Sequence, residues 1–151
     1  MTTIASLSAA ELGPLFASRK LSPVEVAKDA LGRVERFEPQ INAFVVREAQ
    51  FTLAMAEAAE TRHLRGQALG PLDGVPVTIK DNIGVAGWPM RRGSAVGSDA
   101  PFAHDAPATA RLREAGCVFL GKTTMPEYGW KGVGDSPLSG ITRNPWDTNT
   151  G

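Results

Sequence analysis

The stretch GPLDGVPVTIKDNIG, residues 70–84, combines a run of strand-forming residues with a lysine at its end. The run from Val75 to Ile79 is rich in β-branched residues, which favour a strand, and Gly74 favours a turn into it. Lys80 would then lie at the carboxyl end of the strand, where ligand crevices form in α/β sheets. The stretch raises the question of whether this lysine is drawn inside the protein.

Two interpretations of Lys80 follow from the residues alone. An ammonium group packed among apolar neighbours loses its proton more readily, and the neutral amine can act as a base. Such an amine can accept the proton of a serine hydroxyl, as in serine–lysine variants of the serine hydrolase triad. In the alternative interpretation the side chain extends from the strand end into solvent and pairs with Asp73 or Asp81.

Composition excludes several classes of protein. Sixteen lysines and arginines balance sixteen aspartates and glutamates, so no net field attracts nucleic acid or anionic lipid. Cys117 is the only cysteine, which excludes an internal disulfide and a cysteine-rich metal site and is typical of a reducing compartment. The sequence has neither a signal-peptide pattern nor an apolar run of membrane length, so we expect a cytoplasmic protein without membrane contact.

Helical patterns dominate the first 65 residues. The segment SPVE at residues 22–25 is a capping box with proline at the first helical position. Further helices are expected at about 8–19 and 48–64, with a short extended piece over 41–46. The apolar stripe expected behind the capping box comprises Ala27, Ala30, Leu31, Val34 and Phe37.

From Gly66 onward the sequence predicts an α/β layer. A helix is expected to open at Asp105 and to end near Gly116, between predicted strands at 75–79 and 117–120. A helix between two apolar strands is the pattern of an α/β fold.

The domain organisation expected from these patterns is a helical region over 1–65 and the first α/β part of a catalytic core over 66–151. The sequence stops at Gly151 in a turn-like stretch, so we interpret it as an N-terminal piece of a longer protein. A sheet cut after its first strands leaves edges uncovered, and the isolated piece is expected to aggregate or to behave as a molten state.

Residues 116–123, GCVFLGKT, match the phosphate-loop pattern letter for letter. In a true phosphate loop the middle residues form a bend whose amides face the phosphates. Here they form an apolar run that favours a buried strand, and Pro126 follows where a helix should begin. We therefore interpret the segment as a core strand that ends at a glycine turn, not as a nucleotide site.

Three blocks of sequence, taken together, resemble the amidase signature family. They are GPLDGVPVTIKDNI, DAPATARLREAGCVFLGKTTMPE and TRNPWD, and they occur in the family's order between about Leu21 and Gly151. The resemblance implies an α/β fold with a mixed, twisted β-sheet flanked by helices, incomplete in this chain. It also implies cleavage or transfer of carboxylic amides by a nucleophilic serine, a bridging serine on a cis peptide bond, and a lysine. Lys80 matches the triad lysine.

The two triad serines have no counterpart in the sequence. None of Ser94, Ser98, Ser136 and Ser139 lies in a matching context, and in the family a glycine- and serine-rich tract follows the point where this sequence stops. The resemblance therefore implies that the chain alone is inactive and needs the remainder of the same polypeptide. It implies a small-molecule amide as substrate and no cofactor, metal or nucleotide. We expect no nucleic acid or membrane as partner, and a homodimer is left open.

The resemblance also implies that residues near Tyr128, Gly129 and Trp130 border the substrate pocket. Aromatic rings there suit an apolar amide, but the same rings could equally cover the edge of a core.

Two rival functions stay open. The family includes the tRNA-dependent amidotransferase component that transamidates misacylated tRNA, which usually carries a Lys-x-Asn-Met-Asp-Glu-Phe run after this strand. The departures at Thr124 and Pro126 favour a free-standing amidase. A non-catalytic or nucleotide-binding relative is the rival of another class.

Overall fold

The computed structural model describes residues 3–151. Its helices are α1 (Ala9–Ala17), α2 (Pro23–Ile41), α3 (Ala49–Leu64) and α4 (Pro107–Glu114). Its strands are β1 (Phe44–Val46), β2 (Pro76–Lys80), β3 (Val118–Thr123), β4 (Asp135–Ser136) and β5 (Gly140–Ile141). Short 3-10 turns occupy Ile4–Ser6 and Glu127–Gly129. None of the helices within residues 3–151 combines the length and the apolar character that crossing a bilayer requires.

Capping boxes fix the starts of the first two helices. The Glu11 carboxylate accepts hydrogen bonds from the Ser8 amide and hydroxyl, both at 2.7 Å. At the start of α2 the Ser22 amide donates to the Glu25 carboxylate at 2.8 Å, and the Glu25 amide donates to the Ser22 hydroxyl at 3.1 Å. Because each box satisfies amides that have no partner inside the helix, both helices begin where the sequence predicts.

The apolar stripe of α2 is only partly as predicted. Ala27 is fully buried, but Leu31, Val34 and Phe37 are half-buried. Val26, which the predicted stripe omits, is 4% exposed and packs with Leu12, Phe16 and Val75. The buried face therefore covers the first turns of the helix.

The principal sheet has the strand order β1-β3-β2 and is mixed. Strand β1 pairs antiparallel with β3, in the register Phe44 to Thr123. Strands β2 and β3 run in the same direction, because the Val118 amide donates to Val75 O at 2.9 Å and the Asp81 amide donates to Thr123 O at 3.1 Å. With α4 between them in sequence, these strands form the predicted β-α-β unit, and the α/β class is confirmed.

Strand β3 differs from its prediction at one end. The sequence favours a strand that stops at a glycine turn after Leu120, whereas β3 continues through Gly121 and Lys122 to Thr123. The pairing with β1 explains the extension, since Val46 lies opposite Lys122 and Phe44 opposite Thr123. A separate two-stranded hairpin is formed by β4 and β5.

Contacts divide the chain into two compact units, and the predicted division at residue 65 stays a prediction. The first unit contains the residues up to Val34, Glu48–Val77 and Arg111–Leu120. The second contains Glu35–Arg47, Thr78–Ala110 and Gly121–Gly151.

Among its described residues, the first unit contains two apolar clusters. One comprises Leu12, Phe16, Val26 and Val75, with Ile4, Leu7 and Leu21 packed against it. The other comprises Ala27, Ala56 and Val118, with Val24, Leu53 and Met55 around it.

The first unit also contains a buried aspartate in the turn before β2. Asp73 has a fully buried side chain and accepts two hydrogen bonds from the Arg62 guanidinium, at 2.9 and 2.6 Å. The Leu69 amide donates a third, at 2.9 Å. The hydrogen bond to Asp73 raises the pKa of Arg62 above its ordinary value. This bidentate pair fixes the turn at the start of the stretch GPLDGVPVTIKDNIG, residues 70–84.

Cys117 is a buried free thiol beside this carboxylate. Burial, and then the negative charge of Asp73, raise its pKa above the ordinary value for cysteine. Because the reactive form of cysteine is the thiolate, a raised pKa leaves Cys117 as a small apolar side chain.

Gly116 is required where the chain passes Asp73. Its φ is +80°, and a Cβ atom there would overlap the Asp73 carboxylate. Gly116→Ala is therefore expected to destabilise this turn by at least about 1 kcal/mol, since the clash adds to the cost of a positive φ. The measurement is hydrogen–deuterium exchange of peptides covering residues 67–76 in the full-length protein, which reports the local free energy of opening.

Gly66→Ala is the matched control for that change. Gly66 has a similar φ of +68°, but nothing lies within 4 Å of a Cβ there. Equal effects of the two substitutions on exchange over 67–76 would contradict the role given to the Asp73 contact.

Candidate functional site

Lys80 ends β2 with an exposed side chain. Its neighbours point the other way: Ile79 is 3% exposed and Asp81 is 1% exposed. This alternation is the ordinary geometry of a strand. Within the described residues the Lys80 side chain is therefore exposed, and its amine is open to a partner.

The lysine that is drawn inside is Lys122, in β3. Its Nζ atom lies 3.0 Å from Asp81 Oδ1, and the two side chains are 0% and 2% exposed. The same Nζ donates to Pro89 O at 2.7 Å and lies 3.5 Å from Asp81 O. Burial lowers the pKa of Lys122, and the hydrogen bond and charge of Asp81 act in the opposite direction.

Asp81 uses its second carboxylate oxygen to hold a neighbouring loop. The Gly93 amide donates to Asp81 Oδ2 at 3.1 Å. Gly93 has a φ of +70°, and its Cα passes so close to the carbonyl of Met125 that a Cβ atom would overlap it. The Asp81–Lys122 pair thus joins the end of β2 to β3, to Pro89 and to the loop around Gly93.

This environment decides against the phosphate-loop interpretation of residues 116–123. The residues that would have to bend around phosphates lie in a strand, and the lysine is buried in an ion pair. A phosphate loop needs free backbone amides and a lysine that reaches the ligand. The match to the phosphate-loop pattern is therefore accidental. The segment forms a strand, as its apolar run predicts.

The segment that follows β3 carries the predicted pocket aromatics. Tyr128 has a φ of +51°, which is rare for a residue other than glycine, and its amide donates to Arg92 O at 2.8 Å. Tyr128 is 62% exposed and Trp130 is 75% exposed, so neither covers the edge of a core within the described chain. The Lys131 ammonium lies 5.4 Å from the centre of the Trp130 ring.

Contacts within the second unit connect these aromatics to Lys80. Asp81, which follows Lys80, holds Gly93, and Gly93 packs against the backbone of Met125 and Glu127. Both predicted site segments therefore depend on one set of buried contacts.

A cavity of about 360 Å³ lies on the same unit and includes both Asp81 and Pro89 in its lining. Within it Arg91 forms an ion pair with Asp99 at 2.9 Å. Neither Lys80 nor the aromatic segment is among its lining residues. Those residues are Asn42, Phe44, Val45, Val46, Asp81, Pro89, Arg91, Asp99, Leu138 and Ser139.

Serines of the described chain have local roles. The Ser136 and Ser139 hydroxyls bond each other at 2.8 Å, and the Ser139 amide donates to Ser136 Oγ at 3.1 Å. The Ser98 hydroxyl accepts from the Ala100 amide at 3.1 Å, and Ser94 is fully buried. Within residues 3–151, no three His, Cys, Asp or Glu side chains converge in a geometry that could hold a metal ion.

Comparison with known proteins gives consistent matches along most of the chain. The family model described as Amidase matches residues 25–150. The glutamyl-tRNA(Gln) amidotransferase of Symbiobacterium thermophilum has a component that is 41% identical over 93% of this chain and 29% of its own length. The acylamidase of Rhodococcus erythropolis is also 41% identical, with the same two coverages of 93% and 29%. The indoleacetamide hydrolase of Bradyrhizobium diazoefficiens is 37% identical over 93% of this chain and 27% of its own length.

Solved structures give the same result. The peptide amidase from Stenotrophomonas maltophilia has a TM-score of 0.86 and 28% identity over 95% of this chain and 31% of its own. A bacterial aryl acylamidase of the amidase signature family has a TM-score of 0.85 and 32% identity over 94% of this chain and 30% of its own. The chain thus spans about 30% of the length of the proteins that it matches.

The Asp81–Lys122 pair predicts an asymmetric response to substitution. Asp81→Asn is expected to lower the free energy of unfolding by about 3–5 kcal/mol, because it leaves a buried ammonium without its counter-charge. The double variant Asp81→Asn/Lys122→Met removes both charges with side chains of similar length and is expected to lose less. Urea unfolding of the full-length protein measures both.

Glu114→Gln is the control for the loss of a carboxylate, because its partner Arg111 is 78% exposed. Removing an exposed pair is expected to cost less than about 1 kcal/mol. A double variant less stable than Asp81→Asn alone would show that the ion pair is not the dominant contact.

Proposed function

We propose, since this chain belongs to the amidase family, that it supplies the lysine of a serine–serine–lysine amidase, and that this lysine is Lys80. The observation that carries the proposal is the exposed position of Lys80 at the carboxyl end of β2, inside the matched residues 25–150. An amine that is open to solvent here is also open to a serine supplied by the rest of the enzyme. The strand end fixes its backbone.

The proposed reaction is hydrolysis of a carboxylic amide. Lys80, as a neutral amine, takes the proton of the nucleophilic serine through the bridging serine while the serine oxygen attacks the amide carbonyl. The proton then passes to the departing amine, which leaves an acyl-enzyme that water hydrolyses. Backbone amides outside the described chain would stabilise the tetrahedral intermediate. The chain by itself supplies neither serine and is expected to be inactive.

We further propose that Tyr128, Gly129 and Trp130 contact a small amide substrate. Two exposed aromatic rings beside a glycine offer an apolar surface with room for a planar amide. The left-handed conformation of Tyr128 supports this, because backbone strain concentrates at binding sites. The same proposal has the enzyme act in the cytoplasm, as a monomer or homodimer.

A second candidate function is that of the corresponding component of a glutamyl/aspartyl-tRNA amidotransferase, which would work with other proteins in a complex. The 41% identity to the Symbiobacterium thermophilum protein favours it, and the equal identity to an acylamidase favours the free-standing enzyme. Thr124 and Pro126 favour the free-standing enzyme, because both depart from the run usual in the amidotransferase. Purified full-length protein that releases ammonia from simple amides without partner proteins would support this choice.

Lys80→Met is expected to lower kcat/KM of the full-length enzyme at least about a thousandfold, because the proton relay loses its base. Lys28→Met, on the exposed side of α2, is the control and is expected to leave kcat/KM unchanged. The measurement is steady-state hydrolysis of an aryl amide, and an active Lys80→Met enzyme would refute the proposed role.

Trp130→Ala is expected to raise KM several-fold with little change in kcat, since it removes apolar contact that substrate and transition state share. Val96→Ala removes a side chain that is 89% exposed and serves as the control. A Trp130→Ala enzyme with unchanged KM for a series of apolar amides would remove this residue from the proposed pocket.

A further inference from the structure

We propose that Asp81 and Lys122 are positioning residues that hold Lys80 in place for proton transfer. The inference rests on the proposed function of Lys80 and deepens it. It assigns a role to the one lysine of the GCVFLGKT segment, which the proposed reaction does not use.

The residue after Lys80, Asp81, is held by several bonds to other parts of the chain. The Asp81 amide donates to Thr123 O at 3.1 Å, one carboxylate oxygen pairs with Lys122 at 3.0 Å, and the other accepts from Gly93 at 3.1 Å. Thr123 and Lys122 lie in β3 and Gly93 lies in a loop, so two separate segments hold Asp81. The backbone of Asp81 therefore cannot shift without breaking several buried contacts at once.

The backbone of Lys80 itself is fixed on both sides. Its carbonyl accepts from the Ile83 amide at 2.9 Å, which closes a turn directly after the strand. Ile79, on its other side, is 3% exposed and packed in the core. The direction of the Lys80 Cα–Cβ bond is thus set from both sides, and only the flexible side chain is free.

Proton transfer requires the Lys80 amine to be placed with precision. A lysine base must bring its amine within about 3 Å of a hydroxyl, and an error of about 1 Å at the backbone can cost about a hundredfold in rate. A lysine side chain has four rotatable bonds and does not fix the position of its amine, so that position has to be fixed by the backbone. Among the described residues, the Lys80 amine makes no hydrogen bond or ion pair that would otherwise supply this precision.

The residue types of the Asp81–Lys122 pair also favour a positioning role. An apolar pair of similar volume would stabilise the core as well as a buried ion pair or better. The Lys122 ammonium, however, also donates to Pro89 O at 2.7 Å, so it ties the strand end to a loop in a direction that apolar side chains cannot specify. Directional bonds that converge on Asp81 are what a positioning role requires.

The test compares Lys122→Met and Asp81→Glu with wild type in the full-length enzyme. Lys122→Met removes the charge at similar length, and Asp81→Glu keeps the charge but displaces the carboxylate by one methylene. Each is expected to lower kcat at least tenfold with KM within twofold, at a temperature where circular dichroism shows full folding. Hydrogen exchange of peptides covering 80–83 and 93 is expected to quicken, with no change over Ala49–Leu64.

Glu114→Gln on α4 is the control and is expected to change neither kcat nor the exchange at 80–83. Should Lys122→Met fail to fold, Asp81→Glu decides alone, because it leaves the buried charges balanced. An unchanged kcat in either folded variant, or a loss that appears only in KM, would overturn the proposal.

The outcome can be separated from that of the proposed function. If Lys80→Met stays active, the proposed base is wrong and positioning of that base fails with it, whatever the exchange shows. If Lys80→Met is inactive while Lys122→Met and Asp81→Glu keep full kcat, the proposed function stands and the positioning role is refuted.

Discussion

The buried ion pair between Asp81 and Lys122 is the contact on which the second unit depends. Both charges are out of water, so each is tolerable only because the other is there and because the remaining donors and acceptors are used. The pair joins the end of β2, strand β3, Pro89 and the Gly93 loop. A network of this kind fixes geometry more than it adds stability, since forming it costs the hydration of two ions.

The two lysines of this unit show how position in a strand decides chemistry. Lys80 and Lys122 each lie within a β-strand near its carboxyl end, but Lys80 faces solvent and Lys122 faces Asp81. The first keeps a mobile amine that a substrate or a second residue can reach. The second gives up that freedom and becomes part of the scaffold, which is why its match to a phosphate-binding pattern has no chemical meaning.

Sequence predicts the parts of this fold that are encoded locally. The capping box at Ser22 and the helices α1 and α3 lie within a few residues of the positions expected, because capping and periodicity act over one or two turns. The extension of β3 to Thr123 and the burial of Lys122 were not predicted. Both arise from partners that are 41 or more residues away in sequence, in Asp81 and β1, and no local preference announces them. The local signal is an aspartate immediately after an apolar strand, and the sequence suggests it as a partner for Lys80 instead.

The stretch GPLDGVPVTIKDNIG, residues 70–84, has a buried aspartate on each side of β2. Asp73, before β2, is buried and held by Arg62, and Asp81, after β2, is buried and held by Lys122. In each case a backbone amide completes the carboxylate, from Leu69 in one unit and from Gly93 in the other. A strand of five residues has little intrinsic rigidity, and polar contacts at its ends compensate for this without occupying its exposed side chains. This arrangement suits the role proposed for Lys80, because a side chain that must reach a partner then extends from a backbone that is held in place.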